Sequence, residues 1–268
     1  MPYTLQPFDS VADRYDQVFT DSGIGRFQRS AVHHYLDRRV FGDAPLSILE
    51  LGCGTGEDAT YFAALGHRIT ATDISPSMLE ITLAKAEKCG LTDRIRTVPL
   101  DLQNPDCSSL EGPFDLVFSN FGALNCIDEA GLRNLAEKLV PITTIGSHAV
   151  FVVMPRACLW ETSYFLVRAK PRSAFRRLRG GPVSAAVGQA SVPTWYHSPG
   201  AVARAFKPAF QRQAVTPVGF TVPPSFLEPW AGRNPRILAA LAKIDQIVRP
   251  IGLLGSISDH ALIHLERK

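Results

Sequence analysis

The sequence predicts an α/β fold: a doubly wound seven-stranded sheet, mostly parallel, with an antiparallel C-terminal edge strand and a helical lid insert. Three observations carry this expectation. Short β-prone runs alternate with helix-like segments between residues 46 and 155. A glycine-rich turn in ILELGCGTGEDATYF joins the first run to its helix. The alternation breaks after Pro155 and sheet-like runs resume near Phe210. Strand–helix alternation at this spacing implies right-handed crossovers and parallel pairing. At 268 residues the chain is long enough for one large α/β domain with a buried core.

The elements follow in order. In FDSVADRYDQVF, residues Val11, Tyr15 and Phe19 recur at four-residue spacing, and Ser10 is the expected helix cap. GRFQRSAVHHYLDRRVF reads as a second helix with Phe27, Val32, Tyr35 and Leu36 on one face. PLSILEL is the first strand and runs into the glycines. A helix then closes at Leu65, Gly66 turns the chain, and Arg68–Asp73 is the second strand. Ser75 and Pro76 open the next helix, since proline suits a first helical position whose N–H needs no partner. Gly90 ends it. Strands are expected at Arg94–Leu100 and Phe114–Ser119, a helix over Asp128–Val140 with Leu132, Leu135 and Leu139 inward, and a strand in SHAVFVVM. Beyond Pro155, CLWETSYFLVRA reads as helix and the rest up to residue 196 as an Arg- and Gly-rich loop. SPGAVARAF gives a helix, FQRQAVTPVGF a strand, the Pro-rich stretch to about Arg249 a helical segment and DHALIHLER the last strand. The economical division is one domain: N-terminal helices over 1–45, a core over 46–155, an inserted lid over 156–196, and sheet completion over 197–268 with a second lid segment at 220–250.

Composition excludes several classes. Hydrophobic residues make up 46% and charged residues 20%, a globular balance. No apolar run approaches the roughly 20 residues needed to cross a bilayer. Five scattered cysteines with no CxxC pair argue for reduced thiols in a cytoplasm and against a disulfide framework or a zinc site. The net charge of +3 is unevenly spread. From Thr162 to Leu227 there are nine Lys or Arg and no Asp or Glu, so this window is +9 and the remainder −6. A localised patch of this kind suits an anionic small substrate or an acidic carrier protein better than nucleic acid, which needs a broad basic surface.

The glycines set the chemistry. A turn that tolerates positive φ and close ligand approach needs glycine, and ligands of doubly wound sheets sit where strand ends meet helix starts. The spacing Gly52-x-Gly54-x-Gly56 is one residue short of the dinucleotide fingerprint. Glu57 and Asp58 then place carboxylates in the first helical turn, where a pyrophosphate would lie and be repelled. The site fits a ligand without phosphate and with positive charge.

The run from Glu50 through Gly52, Cys53, Gly54 and Gly56 resembles the first motif of class I S-adenosylmethionine (SAM)-dependent methyltransferases, in their small-molecule branch. This implies a Rossmann-like domain with SAM as cofactor and no metal. Asp73 matches the family's ribose-binding acid, and TDISPSML its second motif, with Ile74 and Met78 flanking the adenine. In LDLQ, Asp101 matches the residue that takes the adenine amino group, with Leu102 beside it. PFDLVFSNFGALNCI resembles the fourth-strand motif, ending at Asn120 in the cofactor cleft. Tyr15 resembles a tyrosine that closes over the cofactor, and Arg26 is a candidate partner for the cofactor carboxylate. The resemblance covers about residues 10–155, with a looser fit over 195–266.

Methyl transfer needs in-line positioning and dryness more than acid–base chemistry, so a catalytic motif is not required. The tetrad of exocyclic base-amine methylation is absent; Ser119-Asn120-Phe121-Gly122 stands in its place. His197 and Tyr196, in VPTWYHSPG, are the expected base candidates, with Trp160, Tyr164, Trp195 and Tyr196 lining an acceptor site under the insert. The expected reaction is O-methylation of a partly apolar metabolite of secondary metabolism. RNA or protein methylation and a non-catalytic SAM-binding role are the alternatives.

Overall fold

The computed structural model describes residues 6–188 and 190–268, so Met1–Leu5 of the expected N-terminal helices and Gln189 of the insert lie outside the described residues. The helices are α1 Ala12–Tyr15, α2 Gly23–Arg39, α3 Glu57–Ala64, α4 Pro76–Lys88, α5 Glu129–Leu139, α6 Leu159–Val167, α7 Pro171–Ala174, α8 Pro199–Ala205, α9 Glu228–Ala231 and α10 Pro235–Val248. The strands are β1 Ser47–Leu51, β2 Arg68–Asp73, β3 Ile95–Pro99, β4 Phe114–Ser119, β5 Thr143–Val153, β6 Val183–Val187, β7 Ala190–Thr194, β8 Phe210–Val218 and β9 His260–Arg267.

Seven strands form one sheet in the order β3-β2-β1-β4-β5-β9-β8. The first five pair in parallel, and β9 pairs antiparallel with both β5 and the edge strand β8. The C-terminal strand therefore sits one place in from the edge. Strand order reverses between β1 and β4, so the C-terminal ends of these strands open a crevice. Helices α2, α3 and α4 cover one face, through Val32, Leu36, Phe62 and Leu79. Helices α5 and α8 cover the other, through Leu132, Leu135, Leu139, Val202 and Phe206. Both faces of β1 and β4 are buried, which is why these strands are continuous apolar runs and not alternating ones.

Local chemistry sets the helix limits. Ser75 Oγ accepts the Met78 N–H and Pro76 opens α4, while Asp128 Oδ1 accepts the Gly131 N–H at the start of α5. For α2 the cap is Ser22, whose Oγ accepts the Gly25 N–H. The Glu228 carboxylate also accepts the N–H groups of Gly23 and Ile24, which ties α9 to the same helix end. Ser10 is no cap: its hydroxyl donates to Pro7 O within an irregular segment that passes through 3-10, α and π turns between Asp9 and Thr20. Phe27 faces outward, 37% exposed, so the buried stripe of α2 is narrower than its apolar sequence suggests.

The insert departs most from expectation. After α6 and α7 the chain forms a two-stranded hairpin, β6–β7, where the sequence reads as loop. The segment 220–250 packs through Val222, Ala231, Leu238 and Ala242 against Ile24 of α2. Part of the basic run is spent internally. Arg176 and Arg177 both donate to Glu161, and Arg177 also reaches Asp259, in a buried cluster that fastens the insert to the start of β9.

Candidate active site

At the C-terminal edge of β1, β2 and β4 lies a cavity of about 390 Å³. Its floor begins with the turn after β1. Gly52 has φ +70°, and a Cβ there would lie 2.3 Å from the Ala123 Cβ. Gly54 has φ +54° and faces open space, so the backbone itself forms the cavity wall. The Asp73 carboxylate, at the end of β2, is locked by two backbone donors: Oδ2 accepts the Gly54 N–H at 2.9 Å and Oδ1 the Ser75 N–H at 2.9 Å. Burial pushes the Asp73 carboxyl above the usual carboxylate range even against these bonds.

Nine of the twelve expected cofactor residues line this cavity: Tyr15, Gly52, Gly54, Asp73, Ile74, Met78, Asp101, Leu102 and Asn120. Glu50, Cys53 and Gly56 lie behind it. Cys53 is buried beneath the turn, where burial holds its thiol well above the ordinary range. Gly56 is pressed against Thr82 of α4. Glu50 is 1% exposed, and its Oε2 has no hydrogen-bond partner among the described residues. Burial first, then the neighbouring Asp58 charge, push the Glu50 carboxyl well above its usual range.

Behind the turn sits a charged cluster. The buried Asp58 carboxylate meets Arg29 and, at 2.6 Å, His33 Nε2, both from α2, and it accepts the Asn120 Nδ2–H at 2.9 Å. Burial opposes its charge, but Arg29, His33 and the Asn120 amide hold the carboxyl well below the carboxylate range. Glu57 instead reaches Lys85 at 3.2 Å. Neither first-turn carboxylate lines the cavity, so the acidity facing it comes from Asp73 and Asp101. Asn120 leads into Phe121 at φ +43° and Gly122 at φ +90°, and this strained turn brings the Phe121 ring into the cavity wall.

The far wall is apolar and comes in part from the insert expected as a lid, which forms a hairpin where the sequence reads as loop. Hairpin residues Ala185, Val187, Val192 and Pro193 face Cys126, Ile127 and Met154 across the cavity. The hairpin tip touches the N-terminal segment: a Cβ on Gly188 would lie 2.6 Å from Val11 Cγ1. Two straps thus meet over the opening. Tyr15 hangs from the N-terminal strap, its hydroxyl pushed up to about 12 by burial, and burial likewise raises the Cys126 thiol to about 11.

The acceptor-site and base candidates need correction. His197 is 2% exposed, with Nε2 2.9 Å from Ile127 O, and braces the hairpin exit against the loop after β4. Trp195 is fixed beside it through Asn125, whose Nδ2 donates to Trp195 O at 2.6 Å. Tyr196 packs against the Arg177 guanidinium at 5.2 Å. Trp160 donates through Nε1 to Thr221 O, and Tyr164 stacks with Phe226 and Arg168. None of these five lines the cavity, nor does any residue of 220–250. Arg26 is exposed and bonds to Asp21 O; Arg29, three residues on, is the arginine that turns inward. The sequence pointed to Arg26 on this helix, but which arginine turns inward depends on where α3 places Asp58.

Comparisons with known proteins agree with this geometry. A methyltransferase-domain family model matches residues 48–143. Among curated relatives, the chain is similar to a demethylmenaquinone methyltransferase of Thermus thermophilus, 36% identical over 141 residues, which are 50% of this chain and 60% of that one. It is similar to the tRNA 5-carboxymethoxyuridine methyltransferase of Escherichia coli, 28% identical over 112 residues, 41% of this chain and 42% of that one. The chain therefore spans less than two thirds of the length of these relatives. Among solved structures, the complex of DhpI with S-adenosylhomocysteine (SAH) superposes with a TM-score of 0.57 at 16% identity over 97% of this chain and 93% of that one. Geranyl diphosphate C-methyltransferase of Streptomyces coelicolor does so with a TM-score of 0.56 at 14% identity over 90% and 81%. Residues 48–143 thus match a methyltransferase-domain family, and they lie in a seven-stranded sheet whose fold is shared with these solved structures.

Proposed function

We propose that this protein moves a methyl group from SAM to a partly apolar small-molecule acceptor, with oxygen as the methylated atom. One observation carries the reading: a single cavity joins the glycine turn and Asp73 at one end to an apolar wall at the other. The residues present fit the cofactor. Asp73, which lines the cavity beside the glycine turn, would accept from the ribose hydroxyls, and Asp101, also in the lining, from the adenine amino group. Ile74, Met78 and Leu102 offer flanking surface for the adenine. The bare backbone at Gly54, with the unpartnered Glu50 Oε2 and Arg29 Nε behind it, suits an amino-acid head carrying both charges. When bound, SAM supplies a methyl carbon already activated by its sulfonium.

The chain's own contribution is then orientation and exclusion of water. The two straps border the cavity, and Phe121 and the hairpin supply apolar surface where an acceptor would lie. Tyr15 and Cys126, held protonated by burial, make poor bases. That favours an acceptor that loses its proton unaided, such as a phenol or an enol, over a simple alcohol. The names of a demethylmenaquinone methyltransferase and a geranyl diphosphate methyltransferase among the matches support an apolar acceptor. A tRNA methyltransferase among the relatives, with the basic insert, makes RNA the second reading. Labelled SAM, offered with metabolite extract, RNA and carrier protein, separates them: label is expected in the extractable organic fraction. Label in RNA would overturn the small-molecule reading, and SAM binding without transfer to any acceptor would overturn the enzymatic one.

A further inference from the structure

Helix α10 buries Leu238 and Ala242 against α2 and turns the opposite side to solvent. That outer side is apolar. Ile237, Ala240, Ile244 and Ile247 are all exposed, Ile247 by 75%, and at 100° per residue they fall within an arc of about 80°. Two more apolar residues just after the helix, Ile251 and Leu253, are also exposed, the latter by 86%. An outward helix face normally carries polar residues, so a run of isoleucines there is unaccounted for by the fold.

Charge says what would cover it. Arg236 and Lys243 border the stripe on one side, and Arg233 precedes it. From Thr162 to Ser258 the chain holds 13 Lys or Arg but only Glu228 and Asp245 as acids, leaving 15 basic against 23 acidic residues elsewhere. Both of those acids turn inward: Glu228 accepts from Gly23 and Ile24, and Asp245 from Thr221 and Val222. Two of the 13 cations, Arg176 and Arg177, are paired with Glu161 and Asp259, but no carboxylate of α10 is left to balance Arg236 and Lys243 beside the stripe. A second copy seated here would oppose like charges. A convex apolar stripe with a cationic border matches instead the interface of an anionic bilayer, where isoleucine enters the acyl boundary and Lys and Arg reach headgroup phosphates.

We propose that this protein docks on anionic lipid surfaces through α10, with Ile237, Ile244 and Ile247 inserted and Arg236 and Lys243 at the headgroups. The inference does not depend on methyl transfer. Cosedimentation of the full chain with vesicles tests it, using phosphatidylcholine alone and phosphatidylcholine mixed with phosphatidylglycerol. Binding is expected only to the mixed vesicles and should weaken as salt rises. Ile244→Gln with Ile247→Gln, both on the outer face, should lower partitioning by at least about tenfold while circular dichroism stays unchanged. Arg236→Gln with Lys243→Gln should lower it by on the order of tenfold and remove the preference for anionic lipid. Wild-type protein left in the supernatant would overturn the proposal, as would a double isoleucine variant that pellets as well as wild type. So would a dimer, seen by light scattering, that the isoleucine substitutions dissociate without any vesicle binding.

Discussion

Replacing Asp73 by Asn separates the structural job of that side chain from the ribose contact proposed for it. In the fold, Asp73 accepts the N–H groups of Gly54 and Ser75, one on each oxygen. Asparagine has one acceptor oxygen, so its NH₂ must face one of those donors and one bond is lost, at about 1 kcal/mol. Against this, the substitution removes a half-buried charge whose desolvation pushes the carboxyl above the usual carboxylate range. The two effects offset, and urea denaturation should show a stability change within about 1 kcal/mol. Cofactor affinity should respond differently. Two charge-assisted hydrogen bonds to the ribose become one neutral acceptor and one mismatched donor, a loss of about 3 kcal/mol or roughly a hundredfold in Kd. Isothermal titration with SAH measures this directly. A variant that folds normally and binds SAH within about threefold of wild type would refute the placement of the ribose at Asp73.

Four further outcomes follow from single contacts. Gly56→Ala should destabilise by about 2–4 kcal/mol in urea, because φ is +76° and a Cβ would sit 2.6–2.9 Å from the Thr82 side chain. His197→Ala should lower stability by about 1–3 kcal/mol, through the lost bond to Ile127 O, with less than about tenfold change in the kcat of what remains folded; a collapse of kcat with stability intact would restore it as a base. Arg177→Met removes the guanidinium shared by buried Glu161 and Asp259, which keep only Arg176 and, for Asp259, Gln28 and His260, and should cost about 2–3 kcal/mol in thermal denaturation while SAH affinity holds. His264 is pushed down to about 4 by burial and by His148, so the unfolded chain takes up its proton at a higher pH than the folded one. Stability should therefore fall as pH drops from about 6.5 toward about 4, by at most about 3 kcal/mol, and His264→Gln should flatten that slope.

What the sequence revealed, and what it hid, divides by the range of the interaction. The limits of α4 follow from Ser75, Pro76 and Gly90, all of which act within a few residues of themselves. The buried strands β1, β2 and β4 announce themselves because both faces are covered. Gly52, Gly54 and Asp73 are legible because backbone conformation and a strand end dictate them. The hairpin was hidden: VSAAVGQASVPT has little hydrophobic alternation, a proline in its second strand, and only one partner strand to pair with. His197 looked available beside aromatic neighbours because its partner, the Ile127 carbonyl, lies 70 residues away. Arg26 and Arg29 share a helix, and nothing local says which of them will meet Asp58 from α3.

The same distinction changes the electrostatic account of the site. The acidic first turn of α3 suggested repulsion of a pyrophosphate, yet Asp58 is neutralised by Arg29 and Glu57 lies against Lys85. The acidity facing the cavity is on half-buried Asp73 and on Asp101, with buried Glu50 behind the glycine turn. A buried carboxylate is stabilised by a neighbouring cation and made worse by a phosphate. The pocket is thus incomplete without positive charge, and the unpartnered Glu50 Oε2 marks one end of that deficit. A ligand bearing an ammonium and a sulfonium relieves it; a dinucleotide would deepen it. Tighter binding of a cationic nucleoside than of a dinucleotide is therefore the expected outcome of titration with each, and the missing residue in the glycine spacing is its local counterpart.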